Sequence, residues 1–156
     1  LFLIMCRERV VVCDRGVSHE IVRHRIAAYT QESTRFCNYS ADRFGNEITV
    51  VAPSWYNLDD GTMNGPAGEA WFNAMSNAEH SYFAMLDAGC SAQEARSVLP
   101  NSLKTEIFIT YDLSEWMHFF ELRCSPKAHP DMQVVAKSLR AQFENWLPVI
   151  FEKSEL

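Results

Sequence analysis

Asp14-Arg15-Gly16-Val17-Ser18-His19-Glu20-Ile21-Val22-Arg23-His24-Arg25-Ile26-Ala27-Ala28-Tyr29-Thr30-Gln31-Glu32-Ser33-Thr34-Arg35-Phe36 is the run on which the reading of this chain turns. No Pro or Gly interrupts it from Val17 to Phe36, and Ser18 stands where an N-cap would, with a side-chain oxygen for the orphan amides of a first turn. The run predicts a helix from Ser18 to about Thr30. Arg23, His24 and Arg25 are followed by seven residues and then Ser33, which places three nitrogen-rich side chains and a hydroxyl within about three helical turns. Successive helical residues rotate by about 100°, so these three fan around the circumference instead of sharing one solvated stripe. A cation turned inward persists only when paired or hydrogen-bonded, and the guanidinium fork pairs well with phosphate. The competing reading is a basic helix surface with intrahelical pairs such as Glu20 with Arg23 or His24.

Composition narrows the partners. A chain of 156 residues that is 47% hydrophobic can bury the core of one compact domain, and no internal repeat divides residues 1–156. The net charge of −6 argues against nucleic acid, so phosphate recognition has to come from a local Arg cluster acting on small molecules. The five cysteines, at 6, 13, 37, 90 and 124, form no close metal-type pair, and their odd number does not complete a disulfide framework. That usage points to a reducing, cytoplasmic setting. No apolar run approaches the roughly 18 residues that suggest a spanning helix, so no membrane partner is expected. Leu1 to Cys6 is too short for a signal-peptide core. His19-Glu20 followed by His24 imitates a zinc-protease helix, but that motif needs histidines four apart and these are five apart, so no metal is assigned.

A scaffold surrounds the run. Arg9 to Cys13 is β-branched and stopped by Asp14-Arg15-Gly16, a strand feeding a turn, and Glu47 to Ala52 repeats the signal before Pro53. Ser54 to Gly65 is turn-rich and reads as a lid or a linker. Trp71, Met75, Ala78, Tyr82, Met85 and Leu86 recur at helical spacing before Gly89, predicting an amphipathic helix from Pro66 to Ala88 in which His80 is structural. Ser91-Ala92-Gln93-Glu94 is a capping-box pattern opening a short helix that carries Arg96. Thr105, Ile107, Ile109 and Tyr111 alternate with their neighbours as one face of a strand, and a helix follows from Ser114 to Cys124. Met132, Val135, Ala136, Leu139, Phe143, Trp146 and Leu147 mark a last helix that continues or kinks at Pro148.

Arg-His-Arg, seven residues and Ser is also the signature of the flavin-dependent thymidylate synthases, the ThyX family, and this chain resembles that family beyond the motif. Asp14 to Glu20, Ser33 to Ser40, Arg43 to Thr49, Ala95 to Pro100, Glu115 to Arg123 and Ala128-His129-Pro130 match its blocks in order. The resemblance implies an α+β fold: a small twisted, mainly antiparallel sheet flanked by helices, with active sites at the subunit interfaces of a homotetramer. It implies reductive methylation of dUMP to dTMP, with methylenetetrahydrofolate as carbon donor, FAD as hydride carrier and NADPH as reductant. Members of the family normally carry an N-terminal segment before this point that supplies further flavin contacts, so residues 1–156 are expected to form a single catalytic domain of the family's kind that lacks that segment.

Site roles carry over by position. The resemblance gives Arg23, His24 and Arg25 to FAD, with Gln31, Asp112, Ser114 and His118 in the same flavin site. It gives Glu20, Arg23, Gln31 and Glu32 to dUMP, the dUMP phosphate to Ser33, Thr34 and Arg35, and Arg96 to that phosphate from another subunit. Arg123 inherits the catalytic place. Carbon is attached at C5 of uracil only if electron density is raised there, and a guanidinium at the N3/O4 edge stabilises the anionic ring without losing its own proton. Ser33 is read as a binding group and not a nucleophile, since no His–Asp relay is apparent in the sequence beside it. Two positions depart from the family: Asp112-Leu113-Ser114 stands where Asn, a variable residue and Arg are usual. The alternative is therefore a non-catalytic or truncated nucleotide- or flavin-binding homologue, and a basic-helix nucleic-acid module is a third reading.

Overall fold

The computed structural model describes residues 7–41, 45–56 and 65–151, with side chains from residue 9 onward. Arg43-Phe44, Cys6 and most of the 54–65 stretch lie outside the described residues. The fold is mixed helix and strand, with a three-stranded antiparallel sheet flanked by helices. In chain order the elements are β1 (Arg7–Asp14), α1 (Arg15–Ile21), β2 (Ala28–Gln31), α2 (Gly65–Asp87), α3 (Ala92–Ala95), a 3-10 turn (Arg96–Val98), β3 (Lys104–Tyr111), α4 (Leu113–Arg123), α5 (Pro130–Trp146) and α6 (Pro148–Phe151). The sheet order is β1-β3-β2. Two compact units are defined: the first holds Val17–Thr30 with 7–13 and 107–151, the second Asp14–Gly16 with Gln31–Glu106.

In the first unit the alternation of β3 does what the sequence predicts. Ile107, Ile109 and Tyr111 are buried with Val11 and Cys13 of β1, while Phe108, Val10 and Val12 are exposed on the opposite face. Trp116, Phe119 and Phe120 recur on one side of α4 and meet Met132, Ala136, Leu139 and Phe143 of α5. Trp116 lies centrally, 4.6 Å from the Tyr111 ring and 4.8 Å from Phe143. Burying each such aromatic contributes about 1.5–3 kcal/mol. The C-terminal helix breaks before Pro148 at Leu147, whose backbone leaves the helical region, and α6 folds Phe151 back onto Phe120 and Phe143.

The helix predicted over Ser18 to Thr30 is corrected. α1 begins earlier and ends at Ile21, with Ser18 buried inside it and not capping it. The Arg15 amide donates to the carbonyls of Asn101 (2.9 Å) and Leu103 (3.1 Å), which do the work expected of a cap. At the other end the Arg23 and His24 amides reach Glu20 and Ile21 at 3.2 and 3.1 Å, a tightening to three-residue spacing that closes the helix. Ala28–Gln31 then pairs as β2. Tyr29 decides the change of direction: its hydroxyl donates back toward the carbonyls of Ile21 and His24 and meets the Tyr111 hydroxyl at 2.8 Å. Arg23, His24 and Arg25 therefore alternate out, in, out along a turn; only His24 is buried.

In the second unit α2 ends as Gly89 predicts. Gly89 has φ +92°, and the Cys90 amide reaches back to the Met85 carbonyl at 3.0 Å, the six-to-one bond of a Schellman end. The Glu94 carboxylate accepts the Ser91 amide at 2.8 Å and its hydroxyl at 2.7 Å, so the capping-box pattern is realised. Tyr39, Tyr82, Ala95 and Leu103 form a small core. The strand expected over Glu47 to Ala52 is corrected: among the described residues there is a single antiparallel bridge, Val50 to Leu103. Thr49 and Val51 each exchange one bond with the 102–104 segment, and Ile48 turns its amide to Glu79, which ends the ladder.

Candidate active site

Asp112 sets the first unit's site by starting α4. Its carboxylate accepts the Glu115 amide at 2.8 Å and the Ser114 hydroxyl at 2.7 Å, an N-cap that holds its pKa below the ordinary aspartate value. The helix so placed carries Glu115, His118 and Arg123. Helical side chains lean toward the N-terminus, so Arg123 in the last turn reaches back alongside the helix.

Arg123 meets His24 and Glu20 there. Nε donates to His24 Nε2 at 3.1 Å, Nη1 to Glu20 Oε2 at 2.8 Å, and Nη2 to the Glu20 carbonyl at 3.0 Å. The other ring nitrogen of His24, Nδ1, lies 2.9 Å from Glu115 Oε1. Burial lowers the His24 pKa against the raising effect of the Glu115 hydrogen bond, and the Arg123 charge lowers it further. A guanidinium only donates, so these two contacts fit an imidazole that is bare at Nε2 and carries its proton on Nδ1. Among the described residues three of the five guanidinium N–H groups are engaged, leaving one on each Nη. Beneath His24, burial raises the Tyr111 pKa, as does its hydrogen bond with Tyr29, so both remain phenols.

His24, Glu115 and His118 bring three ligand-type atoms within 4.8 Å of one another. Arg123 occupies the His24 Nε2 lone pair, and a cation placed there would face a guanidinium. The helical argument about His19 and His24 lapses, since His24 lies beyond α1.

The second unit gathers a separate set of donors. Ser33 opens a turn in which its carbonyl accepts the Phe36 and Cys37 amides at 3.0 and 3.1 Å and its hydroxyl accepts the Arg35 amide at 3.4 Å. Among the described residues, what meets that hydroxyl is this N–H. Arg35 Nε donates to Gln93 Oε1 at 3.0 Å, and Arg96 Nη1 lies 3.4 Å from Thr34 Oγ1 of the same chain. Gln31 donates to Thr105 Oγ1 at 3.2 Å. Glu32 is paired with Lys104 at 3.4 Å, and Lys104 also meets Glu106 at 2.6 Å. Burial works against the Lys104 ammonium, yet the Glu106 hydrogen bond and the Glu32 charge outweigh it and raise its pKa.

The sequence model of a family described as thymidylate synthase complementing protein matches residues 8–149. The chain belongs to that family. The flavin-dependent thymidylate synthase of Geobacter sulfurreducens is 33% identical over 138 residues, 88% of this chain and 56% of that protein. Those of Pyrococcus furiosus and Sulfurisphaera tokodaii are 35% and 33% identical, over 80% and 88% of this chain and 48% and 49% of theirs. The chain spans about half the length of the curated relatives it matches.

Within this family match the structure brings Glu20, His24 and Arg123 into direct contact, and Thr34 with Arg96. Arg23 and Arg25 are exposed, and His118 meets the His24 ring edge-on at 5.8 Å. Asp112 and Ser114 are engaged with the helix start. Sequence reasoning missed Glu115, Tyr29, Tyr111 and Gln93. Glu115 gave no signal, because an acidic residue in a first helical turn reads as a surface charge. Tyr29 gave one, a large aromatic four residues beyond the Arg-His-Arg run.

Proposed function

We propose that this chain acts in the reductive methylation of dUMP to dTMP as a flavin-dependent thymidylate synthase, taking methylenetetrahydrofolate as carbon donor and NADPH as reductant, in a cytoplasmic setting. The observation that carries the reading is Arg123: its guanidinium plane is fixed on three sides by His24 and Glu20, and among the described residues two of its N–H groups remain to donate. A fixed fork of that kind suits the N3/O4 edge of uracil, where it stabilises the anionic ring that is nucleophilic at C5. Preorganisation makes those bonds effective in the transition state without a cost of reorientation.

FAD, when bound, supplies the hydride chemistry. The residues fit it in donor chemistry: Arg23 and Arg25 are exposed, with guanidinium groups two positions apart in sequence on one turn, which is what a diphosphate takes. His24, Gln31 and His118 stay in the proposed flavin site. Ser33, Thr34, Arg35 and Arg96 would hold the dUMP phosphate through hydroxyl, amide and guanidinium donors, with Gln31, Glu32 and Glu20 toward the nucleotide. A homotetramer completes the reading, with sites at subunit interfaces, so the two sets of donors need not come from one copy. Exposed Val10, Val12 and Phe108 on one sheet face, with Ile26 at 74% exposure, supply apolar surface for such contacts.

One observation bears on the alternative, a non-catalytic or truncated nucleotide- or flavin-binding homologue. Asp112 and Ser114 bond to each other and to the start of α4, and neither supplies a cation. The test is direct: the purified chain with FAD should show visible flavin absorbance and form dTMP from dUMP, methylenetetrahydrofolate and NADPH. Nucleotide binding without flavin binding or turnover would select the alternative.

A further inference from the structure

We propose that Glu115 is a positioning residue of this site: its carboxylate accepts Nδ1–H of His24 at 2.9 Å, holds the imidazole in the tautomer whose bare Nε2 accepts Nε–H of Arg123 at 3.1 Å, and thereby fixes the plane of the guanidinium. For what Arg123 does, this rests on the reading above. For how Arg123 is held, it rests on geometry alone.

A guanidinium offers donors and no acceptor, so its contact with Nε2 requires that nitrogen to be without a proton. A neutral ring then carries its proton on Nδ1, and a buried N–H needs an acceptor. Glu115 is that acceptor, and both partners are withdrawn from water: His24 is 5% exposed and Glu115 8%. The ring has little room to turn, with Phe119 at 5.1 Å, His118 at 5.8 Å and Tyr111 at 6.0 Å. The charged and titratable groups facing it are Glu115, His118 and Arg123 from α4 and Tyr111 from β3. Glu20 fixes the other end of the guanidinium through Nη1 and Nη2. The opposite tautomer would set Nε2–H against Nε–H, two donors face to face, and Arg123 would leave the ring. A carboxylate whose role ended at the helix N-terminus would not influence which nitrogen of His24 carries the proton.

Nitrogen NMR of the chain labelled with 15N-histidine, at pH 7.5, reads the tautomer directly. Wild type is expected to show His24 as Nδ1–H. Glu115→Leu is expected to move it to Nε2–H, and dUMP turnover is expected to fall roughly ten- to a hundredfold with KM changing less than about threefold. Glu115→Gln, whose amide oxygen accepts the same proton, should keep the tautomer and restore most of the turnover. Wild-type His24 as Nε2–H, or an unchanged tautomer in a folded Glu115→Leu, overturns the proposal; if that variant does not fold, the wild-type and Glu115→Gln spectra decide it. Nδ1–H in wild type and in Glu115→Gln but Nε2–H in Glu115→Leu, with no dUMP turnover in any of them, would remove the activity reading and leave the positioning intact.

Discussion

Replacing Arg123 by lysine keeps the charge and removes the fork. Of the three bonds the guanidinium donates, an ammonium can keep the one to the Glu20 carboxylate, and it loses those to His24 Nε2 and to the Glu20 carbonyl. The His24 nitrogen is the costly loss, because the ring is buried and water does not replace the donor. A buried acceptor left without its charged partner costs about 1–3 kcal/mol, while the carbonyl, near a side chain that is 18% exposed, recovers part of its loss from water. The expected destabilisation is about 2 kcal/mol, a drop in Tm of about 4–8 °C for a chain of this length. Urea unfolding followed by circular dichroism at pH 7.5 measures it. Arg140→Lys is the control: Arg140 pairs with Glu144 one turn away on α5, and its change should stay within about 0.5 kcal/mol. Equal midpoints for the two variants would refute the reasoning, since the three bonds would then contribute no more than a surface pair. In the proposed reaction the same substitution should lower dUMP turnover more than dUMP affinity.

Three further outcomes follow from the geometry. Tyr29→Phe and Tyr111→Phe should each cost about 1 kcal/mol, and the double variant less than their sum by about 1 kcal/mol, because the hydroxyls share one bond; strict additivity in urea melts would rule that bond out. His24 has its folded pKa below 6.5, so below pH 6.5 the unfolded chain takes up a proton that the folded chain refuses: stability from this group is complete above 6.5, falls as pH drops toward the folded pKa, and this part of the slope should vanish in His24→Asn, as melts from pH 7.5 to 5 would show. Asp112→Ala should cost about 1 kcal/mol as a lost N-cap and Asp112→Asn only about 0.3 kcal/mol; adding Ser114→Arg to Asp112→Asn should raise FAD affinity about tenfold by titration, and an unchanged Kd would remove these two positions from the proposed flavin site.

The legible parts of this chain were those whose cause is local. β3 was readable because Thr105, Ile107, Ile109 and Tyr111 face one side by the two-residue period of a strand, and the end of α2 because Gly89 accepts a backbone that other residues resist. The end of α1 was not. Val22 to Thr30 has no helix breaker, and what stops the helix is β2 pairing beside β3 and a tyrosine hydroxyl turned back on Ile21 and His24. The second strand failed for the mirror reason: Glu47 to Ala52 has β-branched residues, but pairing stops at one bridge. For the site, the motif gave Arg23, His24 and Arg25 and the family resemblance gave Arg123, whereas Glu115 became visible only through its burial against His24.

Tyr29 and Tyr111 are separated by 82 residues, and the pairs that fix His24 and Glu20 by 91 to 103. The shape of the Arg-His-Arg turn is therefore a late event in the chain's history. During synthesis the motif leaves the ribosome long before β3 and α4 exist to hold it, and in that interval Val17 to Thr30, which has no breaker, is free to sample the helix its own sequence favours. Folding then has to convert that stretch, and loop closure over such distances makes the conversion slow relative to local helix formation.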